Sequence, residues 1–119
     1  MAAGSEPLSI QFDRSSSCLT AYIAGEIDAA TAPAFKEQLL DRSDPSVKEV
    51  WVDLSAVTYC DSSGLAAFVA VHRHVTAFGG RAMLYQPQEI VRKGLAVSGI
   101  DREIPVVGRR GRSTSPSQS

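Results

Sequence analysis

Two neighbouring stretches constrain the fold most. Val50-Trp51-Val52-Asp53-Leu54 is short, apolar and rich in β-branched and aromatic residues, the composition of a buried strand. After it Leu65, Phe68, Val69, His72, Val75 and Phe78 recur at spacings of three and four, which predicts a helix over about 62–78 with those residues facing the core. A buried strand feeding a core-facing helix commits the chain to a layered α/β architecture, because the apolar face of each element needs the other to cover it.

The remaining elements extend that pattern. Leu8-Ser9-Ile10-Gln11-Phe12 alternates apolar and polar and reads as a strand with one buried face. A polar turn, Asp13-Arg14-Ser15-Ser16-Ser17, connects it to a second strand over 18–24, so the two form an antiparallel hairpin. Gly25-Glu26-Ile27-Asp28 then turns the chain. Thr31 can cap a helix that holds Pro33 in its first turn and Phe35, Leu39 and Leu40 on its inner face, and Pro45 bars its continuation. A strand over 47–54, the helix at 62–78 closed by Gly79-Gly80, a strand at 82–85, a helix from Pro87 to Val97 ending at Gly99 and a strand near 103–107 complete a β-β-α-β-α-β-α-β order. The fold class is α/β: an N-terminal hairpin leading into a mixed sheet of four to five strands flanked by helices, the later strands parallel.

Size and charge narrow the functions. At 119 residues and 44% apolar content the chain is one domain, expected over residues 6–107, with a flexible N-terminus at 1–5 and a disordered basic, serine-rich tail at 108–119. Residues 1–107 hold nine basic against thirteen acidic residues, a net of −4, while the tail adds Arg109, Arg110 and Arg112. An acidic body argues against direct nucleic-acid binding. No stretch of about 18 apolar residues is present and the first residues lack a signal-peptide pattern, so a cytoplasmic protein without a membrane partner is expected. Cys18 and Cys60 lack metal-ligand spacing, and the strand between them spans roughly 20 Å, too far for a disulfide. Cys60 reads as a small half-buried spacer, or as a thiol whose pKa a helix N-terminus lowers.

The junction Tyr59-Cys60-Asp61-Ser62-Ser63-Gly64-Leu65 carries the chemistry. It sets two hydroxyls and a carboxylate where strand becomes helix, where the first backbone N–H groups lack helical partners and either a hydroxyl caps them or a phosphate is held by them. A phosphoserine there adds roughly −1.5 to −2 charge beside Asp61 and changes what can dock without refolding the domain. The same residues also make an ordinary cap and turn. If the second and third strands run parallel, Asp28 joins Asp61 and Ser62 at one edge of the sheet. Opposite the core face of the 62–78 helix lie Ala66, Ala70, Arg73 and Ala77, a small-residue surface that a partner can approach closely. A hydrolase reading fails on the residues: Gly-x-Ser-x-Gly is absent, and His72 and His74 lie on different sides of one helix. No catalytic residue, metal site or cofactor is assigned.

In these motifs the chain resembles the STAS domains, and among them the single-domain bacterial anti-sigma factor antagonists. The resemblance covers about residues 6–107 and rests on Gly25-Glu26-Ile27-Asp28, Val52-Asp53-Leu54-Ser55-Ala56-Val57, Cys60-Asp61-Ser62-Ser63-Gly64-Leu65, Gly79-Gly80 and Ser98-Gly99-Ile100, in that order. It implies a STAS fold and an anti-sigma factor serine kinase as partner, whose capture frees a sigma factor. It further implies phosphorylation at the first serine of Asp-Ser-Ser-Gly, which is Ser62 here, and a separate serine phosphatase that restores activity. Partner contacts are then expected at Asp28, Asp61, Ser62, Ser63, Gly64, Ala66, Ala70 and Arg73. The alternative is a STAS scaffold or small-ligand or nucleotide sensor that is never phosphorylated.

Overall fold

A computed structural model describes residues 8–108. The expected N-terminal segment at 1–5, and the tail beyond Gly108, lie outside the described residues.

Among the described residues five strands and three of four helices follow the expected order, with the one-turn α4 additional: β1 (Ser9–Ser15), β2 (Cys18–Ile27), α1 (Ala32–Arg42), β3 (Glu49–Cys60), α2 (Ser62–Thr76), β4 (Arg81–Tyr85), α3 (Glu89–Ser98), α4 (Ile100–Glu103) and β5 (Val106–Val107). The sheet order is β1-β2-β3-β4-β5, with β1 antiparallel to β2 and every other pair parallel. Leu19, Ala21 and Ile23 of β2 and Val50, Val52 and Leu54 of β3 point to one face. There they form a single core with Phe35 and Leu39 of α1, Phe68, Val71 and Val75 of α2, and Val91 and Leu95 of α3. The residues between them, Cys18, Thr20 and Tyr22 on β2 and Trp51 and Asp53 on β3, stay partly open on the opposite face. Phe35 and Phe68 meet edge to face with ring centroids 5.6 Å apart, which ties α1 to α2.

Four expectations are corrected. The third strand does not stop at 54 but runs on to Cys60, and the second runs on to Ile27. The pairing of β2 with β3 slips between Tyr22 and Ala24 and again between Gly25 and Glu26, each slip taking up one extra residue of β3, and Gly25 holds φ 115° there. Such bulges break the period-two burial that marks a strand in sequence, since Ser55 and Ala56 are both exposed before Val57 is buried again. The expected strand near 103–107 is shorter, because Ile100–Glu103 forms a one-turn helix and only Val106–Val107 pairs with β4. The core face of α2 is also rotated: Gly64, Ala67, Phe68, Val71 and Val75 are buried, whereas Leu65, Val69 and His72 are half-buried and Phe78 is exposed beyond the helix end. Small residues let α2 lie close to the sheet, and Leu65 turns sideways toward Gly94 of α3. Among the described residues no helix is long and apolar enough to cross a membrane.

Candidate functional site

The parallel pairing of β2 with β3 brings two loops together. Ile27 and Cys60 are register partners at the carboxyl ends of their strands, and the Asp61 N–H donates to the Ile27 carbonyl at 3.0 Å. The segments carrying Asp28 and Asp61 therefore leave the sheet side by side, the arrangement in which parallel α/β folds gather their functional loops.

Each aspartate organises its own loop. Asp28 Oδ1 accepts from the N–H groups of Ala30 and Thr31 at 3.0 and 3.1 Å, and the Asp28 N–H donates to Thr31 Oγ1 at 2.9 Å. Thr31 occupies the cap position of α1, but its hydroxyl does not bond into the helix as expected. It donates to the Glu26 carbonyl at 2.9 Å instead and so closes the loop onto the end of β2. Asp61 stands in extended conformation just before α2, and its Oδ1 accepts from the N–H groups of Ser63 and Gly64 at 2.8 and 3.3 Å. A carboxylate in that position satisfies two of the unpaired donors at the helix start and complements the helix dipole.

The cap is thus a carboxylate, where the sequence also allowed a serine hydroxyl. With Asp61 as cap, Ser62 becomes the first helical residue and is exposed, while Ser63 is half-buried. Capping alone does not rank the two serines, but the fold separates them by access. Ser63 lines a cavity of about 190 Å³ between the starts of α1 and α2, together with Ala29, Ala32, Pro33, Lys36, Ala66 and Ala67. Lys36 and Pro33 on the rim were missed by sequence reasoning, because nothing in the spacing of α1 indicates which of its outward residues borders α2.

Gly64 was expected among the contact residues and is instead buried. A Cβ at this position would lie 2.5 Å from Cys60 Sγ and 2.7 Å from Ile27 Cγ2, so the absence of a side chain is what seats the first turn of α2 on the ends of β2 and β3. Along the outer side of α2, Ala66 and Arg73 are exposed and Ala70 is half-buried. Arg73 reaches Glu103 of α4 at 3.6 Å, an ion pair at the surface.

The other reactive groups serve structure. Burial, and after it the charge of Asp61, push the Cys60 thiol up to about 12, the reverse of the lowered value that a helix N-terminus allowed. Cys18 pairs with Glu49 at the opposite end of β2, and both cysteines are free. His74 Nε2 lies 2.9 Å from the Ser43 carbonyl, and His72 Nδ1 is buried without a hydrogen-bond partner. His72 stands ten residues along α2 from Ser62, about 15 Å by helical rise, and does not serve that hydroxyl as a base. Among the described residues no group of three or more His, Cys, Asp or Glu side chains is arranged to hold a metal ion.

A sheet of this order, with two loops at one edge and a capped helix opening beside them, is the architecture of a known family of small domains. Residues 9–112 match the family described as STAS domain, and the chain belongs to that family. It is 30% identical over 97 residues to the anti-sigma-B factor antagonist of Listeria monocytogenes, an alignment that covers 79% of this chain and 82% of the relative. Among solved structures, an anti-sigma factor antagonist from Mycobacterium paratuberculosis superposes with a TM-score of 0.79 at 23% identity, covering 88% of this chain and 91% of that one. The Bacillus cell fate determinant SpoIIAA in its phosphorylated form superposes with a TM-score of 0.67 at 19% identity, covering 82% and 90%. The mixed sheet expected from sequence is thus the STAS fold.

Proposed function

We propose that this chain is an anti-sigma factor antagonist: it binds an anti-sigma factor serine kinase, frees a sigma factor, and is switched off when the kinase phosphorylates Ser62. The observation that carries the reading is the division of labour at the start of α2. Asp61 already occupies the Ser63 and Gly64 N–H groups, so Ser62 is exposed and uncommitted, and a phosphate placed on it finds those amides taken. Its charge adds to that of Asp61 and projects toward any docked surface.

The Asp28 loop, Ser63 and the Ala66, Ala70 and Arg73 side of α2 surround Ser62 as the contact surface, and Gly64 supports it from beneath. Antagonists are named among the relatives at 30% identity, and a phosphorylated member is among the structural neighbours, which supports carrying both properties over. The role is binding and release, with no catalytic residue and no cofactor; a serine phosphatase would reset the switch. The 190 Å³ cavity beside Ser63 falls short of the roughly 300 Å³ at which small-molecule pockets begin, which weighs against a small ligand held at this loop.

Titration against the anti-sigma serine kinase of the same genome tests the proposal. Ser62→Ala should bind like the wild type and accept no phosphate. Ser62→Asp should bind at least about tenfold more weakly, the effect of roughly 1.4 kcal/mol of added repulsion. Equal affinity of the two variants would overturn it.

A further inference from the structure

The helices cover one face of the sheet, and on the opposite face a row of paired residues crosses four strands: Gln11 on β1, Tyr22 on β2, Asp53 on β3 and Tyr85 on β4. Tyr22 and Tyr85 therefore flank Asp53 from both sides, each one strand spacing away, about 4.8 Å. Trp51 stands two residues before Asp53 on β3 and so shares its face. These four residues, with Cys18 and Thr20, line a hollow of about 310 Å³, within the range of small-molecule sites. A second hollow of about 250 Å³ shares Tyr22 and Asp53 and adds the polar side chains of Ser9, Gln11 and Ser55.

Rings and carboxylate together suit a cation. Tyr22 is 46% exposed, and Trp51 and Tyr85 meet edge to face with centroids 5.6 Å apart, so aromatic surface borders Asp53. Asp53 Oδ1 accepts from the Ser55 N–H and hydroxyl at 2.9 and 2.7 Å, which fixes the carboxylate. Among the described residues Asp53 Oδ2 accepts no hydrogen bond and pairs with no cation. Asp13, Glu49 and Asp53 stand on this face against one described cation, Arg81, which pairs with Glu49 at 3.9 Å. A planar guanidinium can lie on a ring and donate edgewise to a carboxylate at once, whereas an ammonium has no plane to stack. A quaternary ammonium has no N–H for Asp53 to accept.

We propose that this face of the sheet holds a binding site for a small guanidinium-bearing molecule, its head on Asp53 Oδ2 among Tyr22, Trp51 and Tyr85 and its remainder along Ser9, Gln11 and Ser55. A second copy fits the hollows less well, because it would set this acidic face, with Asp13, Glu49 and Asp53, against itself. The site is separate from Ser62 and stands or falls independently of it.

Trp51 is the sole tryptophan, so its fluorescence in the full-length protein reports occupancy as agmatine is added at constant ionic strength. A saturable change in the millimolar range is expected, with one agmatine per chain by calorimetry. Asp53→Asn, which keeps an acceptor for Ser55, should weaken binding about tenfold or more, and Tyr85→Leu about threefold, with unchanged far-UV circular dichroism in both. 1,4-Diaminobutane, which carries an ammonium in place of the guanidinium, should bind at least about threefold more weakly than agmatine. The absence of saturation, equal affinity in Asp53→Asn, or diaminobutane binding as tightly as agmatine would overturn the proposal. So would a fluorescence change that follows protein concentration without agmatine, which marks a second copy as the occupant.

Discussion

Gly64→Ala tests whether the Asp61–Leu65 segment is set by close packing of α2 on the strand ends. Two opposed terms decide the outcome. Alanine in a helix is favoured over glycine by about 1 kcal/mol. Against this, the new methyl would stand 2.5 Å from Cys60 Sγ and 2.7 Å from Ile27 Cγ2, and both neighbours belong to strands whose ladder holds them in place. Overpacking of this kind costs about 1–3 kcal/mol, and with two contacts under 3.0 Å the upper half of that range applies. The net is a destabilisation of roughly 1–2 kcal/mol, a Tm lowered by roughly 5–10 °C for a domain of this size. Thermal and urea unfolding followed by far-UV circular dichroism measure it. Cys60→Ala removes one of the two obstructions, so in the double variant about 0.5–1.5 kcal/mol should return as coupling. A Gly64→Ala protein as stable as the wild type, or more stable, would refute the packing of α2 described here.

Other perturbations separate the roles of neighbouring residues. Asp61→Ala removes the cap and should cost about 0.5–2 kcal/mol in urea unfolding, whereas Ser62→Ala, which removes no native bond, should stay within about 0.5 kcal/mol of wild type. Phe35→Ala should cost about 3–5 kcal/mol by the same measurement, since it opens the fully buried contact of α1 with α2. Because burial raises the Cys60 thiol from its ordinary 9.0 to about 12, the unfolded chain loses that proton first as pH rises. Stability should therefore hold below pH 9 and fall between pH 9 and 12, a decline that Cys60→Ala reduces when denaturation midpoints are compared across that window.

How much of this was legible in sequence differs from element to element. The order of strands and helices was readable because Phe35 and Leu39, or Phe68 and Val75, keep helical spacing whatever the tertiary context. The length of β3 was not, because its bulges put Ser55 and Ala56 out of the alternation and made a paired strand look like a loop. The buried face of α2 was misplaced for a related reason: weight was given to large side chains such as Leu65 and Val69, while close approach to the sheet selects Gly64 and Ala67. At the site, the motif did not show how its residues divide the capping. Which of Asp61, Ser62 and Ser63 caps the helix depends on the residue at which helical backbone begins, and the extended conformation of Asp61 decides it.

The most direct test of the proposed switch is to incubate the protein with the anti-sigma serine kinase of the same genome and ATP and to map the product by mass spectrometry. The account predicts a single phosphate on Ser62, abolished in Ser62→Ala and accompanied by release of the kinase. A phosphate on Ser63, or modification of Ser62 that leaves the complex intact, would contradict it.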